Sequence, residues 1–430
     1  MPPKTPSPAY IHIKNASLIT VNSTAETLNN YDILIKGDTI ISIGPDLDVP
    51  LDADLTVIDA ENCIVVPGFV DGHHHMWQQI IRGVTTDWTL FDYLVNIRSL
   101  YGSVYTAEDV ELAYYAAALD LLNNGVTCVL EHSHIINSPK HADAAIRGLK
   151  KAGIRGCFCY GFYENPPIDG CDVPGVNLDK FKQEQRVCDV RRVREVHFTS
   201  NDPAEDLLTF GIAPTEPESQ PLDETVPQVQ LSRELGARIT TMHVAMGSYD
   251  KAHQEVVQHL ANGGHLGPDL VFSHGASLTD RELDSIRSAG AGLVGTPDTE
   301  LQMGMGFLVV FRAADKGCKA CGAEVLRLDH LVGSIIVGKK ADLVIFRFDD
   351  VSTVPVHDPT ATVVFHASSA NIDTVIVNGR IVKNGSLVGV DWPLVRTALR
   401  TQSERIKFQA AKVDLATARA KWLEIISRSS

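Results

Sequence analysis

VVPGFVDGHHHMWQQ, residues 65–79, closes an apolar run with three consecutive histidines at 73, 74 and 75. In a strand, side chains alternate faces, so His73 and His75 share one face and His74 points elsewhere. A buried parallel strand reads as a short continuous apolar run. IVVPGFVDG (64–72) is such a run, with the His-x-His pair at its end.

Further runs follow. VTCVLEHS, RGCFCYGF, LLTFGIAP, ARITTMHVA, LVFSHGA and GAGLVGTP are strand candidates. Between several of them lie helical patterns that stop at glycine, such as AEDVELAYYAAALDLLNNG (107–125) and TDRELDSIRSAG (279–290). The alternation predicts an α/β fold, parallel strands covered by helices. Eight units would close a (β/α)8-type barrel; seven strand candidates are present, so the barrel is expected to be incomplete, its eighth strand missing.

Both chain ends carry short alternating strands with turn signals. DILIKGDTIISIG (32–44) reads as two strands around Gly-Asp, and IDTVIVNGRIVKNG (372–385) as a hairpin through Asn378-Gly379. The expected organisation is a disordered tail (1–9), a composite small β-sandwich domain (10–66 and 333–390), the barrel (67–332) and a C-terminal helix (391–430). Leu399, Ile406 and Val413 recur at seven-residue spacing along that helix, which suits packing on the barrel or on a second copy. Residues 160–206, with ENPPIDGCDVPG, form a lid candidate.

Composition bounds the function. Of 430 residues, 44% are hydrophobic and 21% charged, ordinary for a globular enzyme. A net charge of −15 argues against nucleic acid and anionic membranes as partners. The absence of a spanning-length apolar run or an N-terminal secretory pattern points to the cytoplasm. Eight scattered cysteines suit reduced thiols.

Histidine also closes RITTMHV (His243) and LVFSH (His274). Active-site groups of an αβ barrel sit at the C-terminal ends of its strands. A lone strand-end histidine is more often a hydrogen-bonded rim residue, but four at three strand ends suggest a metal site, since neutral imidazole is a common donor to Zn²⁺. His132 and His134, in LEHSH, end the second strand and are read as structural or supporting residues, as is His74, with pocket lining by His132 or His134 as the alternative.

PGFVDGHHH resembles the His-x-His signature of the amidohydrolase superfamily. GIAPTEPESQP, ARITTMHV, LVFSHGASLTD and GTPDTELQMGMG are similar to its branch of cytosine deaminase-like and s-triazine hydrolase-like enzymes, and HLVGSIIVGKKADLVIF to the return into its small β domain. The resemblance implies a metal-dependent hydrolase of non-peptide C–N bonds, of aminohydrolase or deaminase type, acting on an N-heterocycle or amidine-like small molecule. It implies one divalent ion, Zn or Fe, held by His73, His75 and His243. His274 would orient or polarise the attacking water or the substrate. Gln78, Gln79, Arg82 and Trp88 would contact substrate. The fourth strand, LLTFGIAP, lacks the lysine that bridges two metals in binuclear relatives, so one ion is expected. A homo-oligomer is compatible with this reading.

Two departures matter. Position 246 is Met where relatives often carry a proton-shuttling Glu. After GCKA (317–320) the chain runs within two residues into GAEVLRLDHLVGSI (322–335), omitting the eighth strand and its Asp. That omission predicts an open seam between the first and seventh strands. It raises the alternative of an impaired or inactive paralogue, or a truncated product. Asp298 and Asp329 are the nearest acidic substitutes in sequence. Cys318-Lys319-Ala320-Cys321 is read as a coincidental CxxC at the junction.

Overall fold

The computed structural model describes residues 10–22, 27–49, 54–165, 181–218, 222–250 and 254–428. The strands are β1 (Tyr10–Ile19), β2 (Thr27–Lys36), β3 (Thr39–Gly44), β4 (Leu55–Asp59) and β5 (Cys63–Pro67). Next come β6 (Phe69–His74), β7 (Val126–Ser133), β8 (Arg155–Gly161), β9 (Leu208–Ala213), β10 (Thr240–Val244), β11 (Leu270–His274) and β12 (Gly292–Val294). The last are β13 (Leu343–Arg347), β14 (Ile372–Val377), β15 (Arg380–Asn384) and β16 (Ser386–Leu387).

Strands from both chain ends share one nine-stranded sheet in the order β16-β15-β14-β13-β5-β1-β2-β3, forked where β4 also pairs with β1. Ile11, Ile13, Ile33, Ile35, Leu343 and Ile345 bury one face of it. The Asn378-Gly379 hairpin has φ of 50° and 70°, the left-handed pair that a tight two-residue turn requires. IVVPGFVDG is two strands, not one: β5 belongs to this sheet and β6 to the barrel. The chain crosses over at Gly68, where a Cβ would lie 2.1 Å from the Thr127 hydroxyl.

β6 to β12 form a seven-stranded parallel sheet in chain order, nearly closed into a barrel. A Cβ on Gly72 of β6 would lie 2.9 Å from Val294 of β12, so the first and last strands face each other. The seam is plugged rather than open. Lys319 makes a single parallel bridge to Gly292, with its carbonyl accepting from Leu293 N–H at 3.0 Å. The turn of helix Gly322–Val325 then sits against β6, where a Cβ on Gly322 would lie 2.5 Å from the Val70 carbonyl oxygen. Val325, Leu326, Leu328 and Val332 pack into one buried cluster with Cys128, Cys157 and Val271. The residues after the missing strand thus fill its place with apolar side chains.

Within the lid candidate, Gln183–His197 is a helix, and residues 166–180 lie outside the described residues. The C-terminal segment is two helices, Trp392–Ala410 and Leu415–Arg428. Asp414 starts the second by accepting from Ala416 N–H and the Thr417 hydroxyl. Ile406 and Val413 are buried in the main core, and the Trp422 indole donates to the Ser99 hydroxyl at 2.7 Å. Cys318 is buried, Cys321 is exposed, and both are free thiols. No helix among the described residues is long and apolar enough to cross a membrane.

Candidate metal centre

The C-terminal ends of β6, β7, β10 and β11 bring six histidines together. The His73 ring lies 4.7 Å from that of His75, 4.9 Å from His243, and 5.4 Å from both His132 and His274. His74 is paired with Asp71 at 2.9 Å and also reaches the wall of the cavity into which the histidines open. His274 has φ of 77°, a left-handed conformation that non-glycine residues keep only where surrounding packing enforces it.

Each ring is aimed by an outer partner. His243 Nδ1–H donates to Glu216 Oε1 at 2.7 Å, and His73 Nδ1 pairs with the Ser273 hydroxyl at 2.7 Å. His75 Nδ1–H donates to the His132 carbonyl at 2.8 Å, and His274 Nδ1 pairs with the Thr296 hydroxyl at 2.9 Å. Such partners fix the tautomer and orientation of metal-binding imidazoles. With the Nδ1 atoms held outside, Nε2 of His73 and Nε2 of His243 face each other at 3.2 Å. Two nitrogens on one tetrahedral ion, each about 2.0–2.1 Å from it, stand about 3.3 Å apart. The pair therefore has the separation a shared ion needs. One donor atom each of His73, His132 and His243 lies within 4.8 Å of the other two.

Burial first, then neighbouring imidazoles, pushes His73, His75 and His132 well below the ordinary histidine range. They are neutral donors at physiological pH, the form a metal binds. His134 differs: the Trp77 indole donates to its Nδ1 at 2.8 Å and its Nε2 reaches the Tyr93 hydroxyl at 3.2 Å, so both nitrogens are occupied.

The histidines open into a cavity of about 400 Å³ whose wall includes Gln78, Gln79, Arg82, Arg98, Glu216 and Met246. Arg82 is exposed at the rim and paired with Asp120. Trp88 lies outside this wall and packs, partly buried, on the main core. Asp298 and Asp329 are exposed. The buried acid beside His274 is instead Glu300, 3.6 Å from its Nδ1.

Three supporting carboxylates escape the strand-end pattern. Glu131 accepts from Met76 N–H at 2.8 Å and from the Tyr114 hydroxyl at 2.6 Å, holding the turn after the His-x-His pair; burial pushes it up to about 7. Glu218 accepts from Ala245 N–H and is pushed up to about 8 by burial and then by Asp250. Glu216 stands in GIAPTEPESQP with no periodic signal. The available hint was the run of polar residues directly after an apolar strand.

The Amidohydrolase family model matches residues 64–320 and 320–382, two stretches that meet where the sequence reading places the omission. The 5-methylthioadenosine/S-adenosylhomocysteine deaminase of Thermoanaerobacter pseudethanolicus is 24% identical over 88% of this chain and 95% of its own. The hydroxydechloroatrazine ethylaminohydrolase of Pseudomonas sp. strain ADP is 23% identical over 86% and 92%. Among solved structures, a zinc-bound adenosine deaminase from Xanthomonas campestris superposes with a TM-score of 0.80 at 19% identity, over 94% of this chain and 100% of that one.

Proposed function

The chain belongs to the amidohydrolase family, hydrolases of C–N bonds other than peptide bonds, and on that premise we propose that it is a deaminase or aminohydrolase of a small N-heterocycle or amidine-like substrate, dependent on one divalent ion, Zn or Fe. The observation that carries this is the facing pair of Nε2 atoms on His73 and His243, each ring fixed from behind.

His73, His75 and His243 would hold the ion. A divalent ion in such a site lowers the pKa of water toward neutrality and polarises the group under attack. The rest falls to the chain's own side chains. Glu216 and Ser273 keep His243 and His73 oriented. Thr296 occupies Nδ1 of His274, which leaves its Nε2 to orient the attacking water or the substrate. Gln78, Gln79 and Arg82 would contact the substrate from the wall, with Trp88 further out. Met246 has no exchangeable proton, so proton transfer cannot run through that position.

The impaired-paralogue alternative is not favoured: the histidines keep their buried anchors, and the relatives that match nearly full length carry the names of catalysts. On the same reading, the forked sheet built from both chain ends serves as the small β-sandwich domain. A cytoplasmic location and a homo-oligomer belong to the same reading.

The test is elemental analysis of the purified protein with ammonia or amine release from aminopurine nucleosides, aminopyrimidines and amino-s-triazines. Near-stoichiometric metal and release that stops on chelation are expected. Neither metal uptake nor release would overturn the reading.

A further inference from the structure

Arg98 is only 2% exposed and lies in the π-helix Leu94–Tyr101. Turns of this kind are rare and recur at functional sites. Its Nε–H donates to Asn165 Oδ1 at 3.1 Å, and its guanidinium lies over the Tyr163 ring, 4.9 Å from the centroid. Asn165 is itself held, since its Nδ2 donates to Asn137 Oδ1 at 2.6 Å and to the His134 carbonyl at 3.2 Å. The guanidinium is therefore fixed along one edge and one face.

Its other edge is free. Of the five N–H donors of a guanidinium, the four on Nη1 and Nη2 have no partner among the described residues, and no carboxylate pairs with them. Buried arginines are normally paired. Two others show the contrast. Arg155 gives Nη2 to Asp342 at 3.1 Å and to Asn378 Oδ1 at 2.8 Å, and Arg186 gives Nη1 to the Ile136 carbonyl at 2.7 Å. Neither reaches the cavity, whereas Arg98 forms part of its wall. Arg82, the other guanidinium of that wall, is already paired with Asp120. Glu216 does not balance Arg98: its Oε1 takes the His243 Nδ1–H, and its Oε2 has no hydrogen-bond partner. Tyr163 sets the scale, its ring centroid standing 6.4 Å from that of His243. An unpaired donor fork and the strand-end histidines thus share one cavity of about 400 Å³.

We propose that Arg98 is a specificity-determining residue that binds an anionic substituent, and that the substrate is an aminated N-heterocycle carrying a carboxylate. The planar fork matches the two oxygens of a carboxylate, and one guanidinium balances one negative charge. This rests on the deaminase reading above and narrows its substrate class.

The test is calorimetry on the full-length chain with two matched probe sets: cytosine-5-carboxylate with its amide, and adenin-9-ylacetate with its amide. Wild type, Arg98→Lys and Arg98→Met are compared, together with their thermal unfolding and their ammonia release. In the wild type at least one acid should bind about 10-fold more tightly than its amide, the scale of hydrogen bonds to a charged group. Arg98→Met should erase that preference, and Arg98→Lys, which keeps the charge without the fork, should retain part of it. Ligand-free Arg98→Met should unfold no lower than wild type, because the change removes an unpaired buried charge. Equal binding of acids and amides by the wild type would refute the proposal without any variant. A lowered unfolding temperature with the acid preference intact would make Arg98 a structural prop and refute it too. Ammonia release from the amides with no preference for the acids would overturn this inference alone. An Arg98-dependent acid preference in a chain that takes up no metal and releases no ammonia would overturn the deaminase reading and leave Arg98 as an anion site.

Discussion

The two halves of the barrel rim are built on opposite principles. On the side of β6, β7, β10 and β11, polar rings converge, and each is held from behind by a hydroxyl, carbonyl or carboxylate. On the side of β12, one bridge at Gly292 and a plug of Val325, Leu326, Leu328 and Val332 close the seam at the strand starts. The first side is chemistry supported by hydrogen bonds. The second is closure by apolar packing. The difference teaches that losing a strand costs the barrel a set of ladder bonds, while the core can be refilled by whatever apolar segment follows.

The contrast can be broken by substitution on either side. His243→Ala should abolish metal retention, a loss beyond about 100-fold in affinity, read by elemental analysis after gel filtration. Unchanged metal content would remove His243 from the donor set. On the other side, Leu328→Ala should cost about 2–4 kcal/mol of stability, the usual toll of a buried cavity, and leave metal stoichiometry as it was. A chemical-denaturation series with metal analysis checks both, and loss of metal there would couple the two sides.

Glu218 sharpens the comparison through pH. Its folded pKa of about 8 lies above the ordinary carboxylate range, so the folded state keeps a proton that the unfolded chain releases from about pH 4.5 upward. Stability from this group is full below that pH and falls as pH rises toward 8. Glu218→Gln keeps an acceptor for Ala245 N–H without the titration. Its stability relative to wild type should therefore rise between pH 5 and pH 8, on the order of a few kcal/mol at most; urea midpoints at the two pH values decide it. Glu216→Gln should weaken metal binding about 10-fold, since a neutral amide holds the His243 ring less firmly. The smallest effect belongs to Arg82→Ala: the pair with Asp120 is largely exposed, so thermal unfolding should move by less than about 1 kcal/mol.

Much of this was legible in the chain. His73, His75, His243 and His274 announce themselves because a parallel strand is an apolar run, and a polar residue at its end stands out. Asn378-Gly379 marks its own turn. Glu131, Glu216, Ser273 and Glu300 do not, because each acts on the site from a distant position in sequence: Glu131 holds the turn at Met76 across 55 residues, and Ser273 meets His73 across 200. Asp298 and Asp329 were near the junction in sequence and are exposed in space, whereas Glu300, two residues or about half a turn further along the same helix as Asp298, turns inward to His274. Helical direction, not proximity in the chain, chose the acid.

By itself the sequence determined the barrel type, its count of strands and the histidines at their ends, since periodicity and residue chemistry are local properties. Only the tertiary structure decided how the seam closes and which nitrogens remain free. Those depend on which side chains meet across the barrel, and a buried donor or acceptor is defined by the partner it finds or lacks.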